Sequence, residues 1–127
     1  MSGVCQTQSY EGEAGLACEM AYNHHCKDSF AYSLDNNTID IKFDFFNKNI
    51  VSMFINTLAN IIIDISLKHK QDIILCGGVF QNKTLLELTI KQLEKNNIKY
   101  FYNQNIPIND SSIALGQIWW AVSNNII

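Results

Sequence analysis

The chain has 127 residues, 47% apolar and 17% charged, and nine basic against twelve acidic side chains give a net charge of -3. That length holds one domain with a modest core. Every basic residue is a lysine, so the positive surplus and the arginine forks of nucleic-acid binders are both missing, and no nucleic-acid partner is expected.

Residues 1–10 are polar and read as an extended lead-in. From Glu11 the run EGEAGLACEMAY puts acids where the positive end of a helix dipole favours them, and Leu16 and Met20 share a face. Residues 23–38 are mixed and polar, a connection ending in the turn-forming Asp35-Asn36-Asn37. Ile39, Ile41, Phe43 and Phe45 then alternate with Asp40, Lys42 and Asp44, the period of a half-buried strand. Asn49 to His69 carries Val51, Phe54, Ile55, Leu58, Ile61, Ile62 and Ile65 on a broad face and predicts a long helix.

Asp72 to Cys76 is short, apolar and β-branched, as a buried parallel strand would be. Gly77-Gly78 breaks it, and Asn82 to Asn96 resumes a helical period through Leu85, Leu86, Ile90 and Leu93. Lys99 to Tyr102 is a short strand, and Gln104 to Asn109 a loop with the only proline, Pro107. Asp110 is expected at the N-cap of a last helix, Ser111 to Val122, with Ile113, Leu115, Ile118, Trp119 and Val122 facing inward.

The order from residue 39 is β-α-β-α-β-α. It predicts an α/β fold with a small, mostly parallel sheet and flanking helices. The organisation expected is a single unit over residues 1–127: a helix and connection over 1–38, and the alternating core over 39–127. Three strands make a small sheet, so the chain reads as part of something larger.

No apolar run is expected to reach the ~18 residues of a membrane helix, and the start lacks the layout of a signal peptide. A soluble, cytoplasmic chain with no membrane partner is the expectation. Cys5, Cys18, Cys26 and Cys76 form no CxxC pair, and reduced thiols are expected. His24, His25 and His69 are assigned to the surface, and Trp119 and Trp120 to core and interface.

Ligands of open α/β sheets bind at the carboxyl ends of strands. Two segments qualify. In Cys76 to Asn82 a strand ends in two glycines that let the backbone approach a ligand, with a helix N-terminus behind them. Neither GxxxxGK nor GxGxxG occurs there, so a plain tight turn and a phosphate cradle both remain open. In Ile106 to Gln117, Asp110 could cap its helix or hold a metal, and capping is the simpler role. Ser111 and Ser112 have no base beside them to make a nucleophile.

Three stretches, in order and spacing, carry a resemblance: Tyr10-Glu11-Gly12-Glu13-Ala14, Leu75-Cys76-Gly77-Gly78-Val79-Phe80-Gln81-Asn82, and Asn109-Asp110-Ser111-Ser112-Ile113-Ala114-Leu115-Gly116-Gln117. They resemble the C-terminal end of the HypF family, carbamoyltransferases that help mature nickel-iron hydrogenases. The wider relatives are the TsaD-like threonylcarbamoyl transferases on the ASKHA, or actin-like ATPase, fold, and the resemblance implies the C-terminal lobe of that fold.

The resemblance further implies that carbamoyl phosphate and ATP become carbamoyl-adenylate in a YrdC-like domain. The TsaD-like domain then passes the carbamoyl group to the C-terminal cysteine of HypE. Gly77, Gly78 and Val79 are implied to lie against the nucleotide phosphates and Asn82 to hold the nucleotide. Glu11 and Gly12 are candidate nucleotide or substrate contacts, and Asp110 a ligand of a divalent metal. The family's partner histidines, spaced HxxxH, do not occur in this sequence, and its Asp-Gly-Gly is here Asp110-Ser111-Ser112. The expectation is the nucleotide-binding lobe of such an enzyme, inactive alone, as an excised piece or the product of a truncated or split gene. Its partners are then the missing lobe, the YrdC-like domain and HypE, with homodimerisation through exposed apolar surface as a further expectation. The alternative is a non-catalytic module of the same fold that docks on a maturation partner.

Overall fold

A computed structural model describes residues 5–10, 12–36 and 38–126. In chain order it has α1 (Glu13–Met20), β1 (Ala31–Asp35), β2 (Thr38–Lys42), α2 (Ile50–His69), β3 (Ile73–Leu75), a 3-10 turn (Gly78–Gln81), α3 (Lys83–Lys95), β4 (Tyr100–Tyr102), a second 3-10 turn (Asp110–Ser112) and α4 (Ile113–Ser123). The class is α/β, with small sheets and flanking helices.

The strands do not join into one sheet. β3 and β4 pair in parallel, with Ile73 opposite Tyr100 and Leu75 opposite Tyr102. β2 instead pairs antiparallel with β1, from Ala31 opposite Lys42 to Asp35 opposite Thr38. The strand expected from Ile39 to Phe45 is therefore half of a hairpin, and its partner lies in the stretch expected to be a connection. Asn36 takes φ 43° at the hairpin turn, a conformation that asparagine tolerates well; Asn37, the other central residue, lies outside the described residues. Phe43 and Phe45 leave the strand and stack on each other at 5.5 Å, with Phe43 edge-on to Phe30 at 5.2 Å.

α2 organises the core. Its Ile55 and Ala59 pack with Tyr22 and Leu85, its Met53 with Cys26 and Phe30, and its Ile63 with Leu75 and Leu93. Buried polar side chains add a second kind of contact. The Tyr22 hydroxyl donates to Asn56 Oδ1 at 2.7 Å, and Asn56 Nδ2 donates to the carbonyls of Cys26 and Asp28. The N–H of Phe30 donates to Thr57 Oγ1 and that of Asn23 to Ser52 Oγ, each at 2.8 Å. These bonds satisfy four backbone groups of residues 23–30, a segment that no helix or strand ladder serves.

With 20 residues and a mean hydropathy of 1.8, α2 also has the length and apolar character of a membrane span. Half of that apolar window is buried inside the fold, as in a core helix. Ile65 belongs to the exposed side of α2 and not to its buried face.

α3 ends in a Schellman-type turn. Asn97 has φ 54° and the N–H of Ile98 donates back to the Leu93 carbonyl at 2.9 Å, which closes the helix and aims the chain into β4. Ile73, Leu75, Tyr100 and Tyr102 cover the same cluster as Leu93. The other face of the pair carries Ile74, 71% exposed, and Phe101, 49% exposed, so β3 is buried on one side only.

α4 departs most from expectation. Ile113, Leu115, Ile118, Trp119 and Val122 are all exposed, Trp119 at 73%. The helix forms where periodicity placed it, yet its apolar face meets no core within the described residues.

Candidate functional site

The parallel pairing of β3 and β4 sets Leu75 beside Tyr102, so the two segments singled out by sequence leave the same edge of the sheet, at the strands' carboxyl ends. Cys76, Gly77, Gly78 and Val79 are exposed there. Gly77 has φ 93° and ψ 160°, a conformation that glycine alone adopts without strain. A Cβ built on Gly77 or Gly78 meets nothing within 4 Å, so the turn opens onto free space. The N–H groups of Gly78 and Val79 begin the 3-10 turn and by geometry have no partner inside it. The turn closes through Phe80 N–H to the Gly77 carbonyl and Asn82 N–H to the Val79 carbonyl.

Asn82 joins two helices. Its Oδ1 accepts from the Leu85 N–H at 2.9 Å, capping α3, and its Nδ2 donates to the Gly15 carbonyl of α1 at 3.2 Å. Next to it, the Lys83 N–H donates to Glu19 Oε2 at 3.1 Å. The helix that begins at the first matched stretch thus meets the last residue of the second. Sequence reasoning missed Gly15 and Glu19, since nothing in a linear pattern pairs α1 with a turn more than sixty residues away. Gly12, with φ 89°, stands at the N-cap of α1 and is exposed; Glu11 lies outside the described residues. Glu13 accepts from both the N–H and the hydroxyl of Ser9, and the backbone bond is the larger cause of its carboxyl lying below the usual range.

At the second segment Asp110 is not a cap: Asn109 caps the 3-10 turn, and Ser112 stands at the N-cap of α4 without a side-chain bond. Asn109 Oδ1 accepts from the Ser111 N–H at 3.1 Å and the Ser111 hydroxyl at 2.6 Å, and the Ser112 hydroxyl donates to the Asn109 carbonyl. Asp110 instead opens the 3-10 turn with its side chain exposed. Ser111 and Ser112 both spend their hydroxyls on tightening this turn. Among the described residues no three His, Cys, Asp or Glu side chains converge, so Asp110 supplies one donor where a metal site needs several.

Cys5, Cys18, Cys26 and Cys76 are free thiols. Burial, then the neighbouring Cys5, pushes the Cys18 thiol up, away from the reactive thiolate form. The three histidines are exposed. A cleft of about 310 Å³ lies where the hairpin runs into α2, lined by residues that include Asn23, Phe45, Phe46 and Lys48; it shares no residue with the glycine turn.

A family model described as the second subdomain of the Kae1-like domain of carbamoyltransferases matches residues 1–117. The chain is 28% identical to the carbamoyltransferase HypF of Synechocystis sp., over 91% of its own length and 17% of that protein. It also superposes on a crystal structure of full-length HypF in the phosphate- and nucleotide-bound form, with TM-score 0.76 and 28% identity, over 91% of this chain and 18% of that one. The chain therefore spans under a fifth of the length of these relatives. Its matched stretches, its α/β architecture and the family match agree, and the chain belongs to the HypF carbamoyltransferase family as the second subdomain of the Kae1-like domain.

Proposed function

We propose that this chain is the nucleotide-binding lobe of a HypF-type carbamoyltransferase. In this reading the whole enzyme passes a carbamoyl group from carbamoyl-adenylate, made from carbamoyl phosphate and ATP, to the C-terminal cysteine of HypE. The modified cysteine then serves synthesis of the cyanide ligand of nickel-iron hydrogenase. The observation that carries the reading is the open Gly77-Gly78 turn at the carboxyl end of β3, with α3 behind it.

The residue roles follow from that turn. Gly77 lets the backbone bend, the N–H groups of Gly78 and Val79 point at phosphate oxygens, and Asn82 fixes the start of α3. Asp110 contributes one carboxylate toward a divalent metal, and the remaining donors come from the other lobe. Gly12 stands at the start of α1, and Glu11, next to it in sequence, is a further candidate contact. One lobe offers half a cleft, so the isolated chain binds nucleotide weakly and does not turn over.

One observation favours a second reading. The exposed Ile118, Trp119 and Trp120 of α4 form an apolar face of the kind that docks on another protein, which suits a non-catalytic module that binds a maturation partner. A titration of labelled protein with Mg-ATP separates the two. Movement confined to the amides of Gly78, Val79 and the residues around Asn82 is expected. A folded protein with no movement there defeats the nucleotide reading and leaves the docking module.

A further inference from the structure

α1 rests on the start of α3, directly after the glycine turn. Two hydrogen bonds hold the helix there, from Asn82 Nδ2 to the Gly15 carbonyl and from the Lys83 N–H to Glu19 Oε2. Cys18 adds apolar contact with the cluster of Tyr22, Ile55, Ala59 and Leu85. Otherwise α1 is lightly held: none of its eight residues is buried. Isolated helices shorter than ~12–15 residues are marginal in water, so docking on the turn is what keeps α1 helical.

The chemistry of the second bond matters more than its length. Lys83 is the first residue of α3, and its N–H lies at the positive end of that helix, where an anion is favoured. The protein places its own carboxylate there. A single N–H cannot serve both Glu19 and a phosphate oxygen, and the carboxylate also repels a polyphosphate arriving at Gly78 and Val79.

We propose that α1 is a latch on the nucleotide turn, with Glu19 as an internal counter-anion that the phosphates of an incoming nucleotide displace from the Lys83 N–H. The inference rests on the reading of Gly77–Asn82 as a nucleotide turn and adds the residue that regulates it. Nucleotide binding and release of α1 are then linked. By reciprocity, whatever lifts α1 raises nucleotide affinity, and bound nucleotide loosens α1.

The test titrates Mg-ATP into the 127-residue chain and into its Glu19→Ala and Glu19→Gln variants. Amide shifts give affinity, and hydrogen exchange of residues 13–20 reports on the latch. Glu19→Ala is expected to bind about threefold to tenfold tighter, as loss of one nearby like charge predicts, and its Lys83 amide should move with those of Gly78 and Val79. Glu19→Gln keeps an acceptor without the charge and should fall between; it decides the matter if the alanine variant misfolds. In the parent chain, Mg-ATP should speed exchange in α1. Equal or weaker binding by folded variants, with the Gly78 and Val79 amides still moving, overturns the latch and leaves the nucleotide turn standing. No amide movement in any of the three folded proteins removes the nucleotide turn, and the latch with it.

Discussion

The Tyr22 hydroxyl donates to Asn56 Oδ1 at 2.7 Å across a separation of 34 residues, and both side chains are buried. This pair ties the irregular segment after α1 to the centre of α2. Asn56 goes on to satisfy the Cys26 and Asp28 carbonyls, so one amide serves two backbone groups of a segment that lacks a ladder.

Asn56→Ala should therefore be among the more costly single substitutions. It strands two carbonyls and a hydroxyl, and a loss of about 2–4 kcal/mol is expected from urea unfolding. Tyr22→Phe removes one partner and should cost about 1 kcal/mol. Equal costs for the two would show that the backbone carbonyls find other partners.

Tyr32 gives the chain a sensitivity to alkali. Burial, then the hydrogen bond from its hydroxyl to Asp64 and the charge of that carboxylate, pushes its pKa from 10.0 up to about 12. The folded state therefore holds this proton more tightly than the unfolded state. Its contribution is complete below pH 10 and is lost as pH rises from 10 toward 12. Unfolding midpoints should fall across that window, and Tyr32→Phe should flatten the fall. A profile unchanged by Tyr32→Phe would contradict this assignment.

Gly77 and Gly78 should separate under substitution. Gly77 has φ 93°, so Gly77→Ala forces a side chain into a strained region and should cost about 1–3 kcal/mol. At Gly78 a Cβ meets open space, and Gly78→Ala should change stability by less than about 0.5 kcal/mol. Its effect should appear in Mg-ATP affinity, which a methyl group at the phosphate approach weakens. Loss of stability in Gly78→Ala with affinity retained would reverse both assignments.

Trp119 and Trp120 are 73% and 61% exposed. The fluorescence of the dilute chain should be that of water-exposed indole, readily quenched by acrylamide. Adding the complementary lobe of a HypF-type protein should shift emission to the blue. A blue-shifted spectrum that reverts on dilution would instead show two copies meeting through α4.

Periodicity located α2, α3 and α4 to within a residue or two, because a helix writes its face into spacings of three and four. The glycine turn was equally legible, since only glycine meets the backbone demand at Gly77. What stayed hidden was pairing. Ile39, Ile41 and Phe43 show the period of a strand, but no period names its neighbour, and the neighbour is the polar stretch Ala31–Asp35. The same gap hid Asn56 and Thr57, which sit among isoleucines and read as interruptions although they anchor residues 23–30.

The sequence by itself determined the class, the helices, the position of the candidate site and the family resemblance, all of which depend on local pattern or on short motifs. Only the tertiary structure decided that α1 rests on Asn82 and Lys83, that Asn109 rather than Asp110 caps its turn, and that α4 turns its apolar face outward. Those outcomes depend on which surfaces meet across long separations, and an apolar stripe states that a face is suited to burial without stating what will cover it.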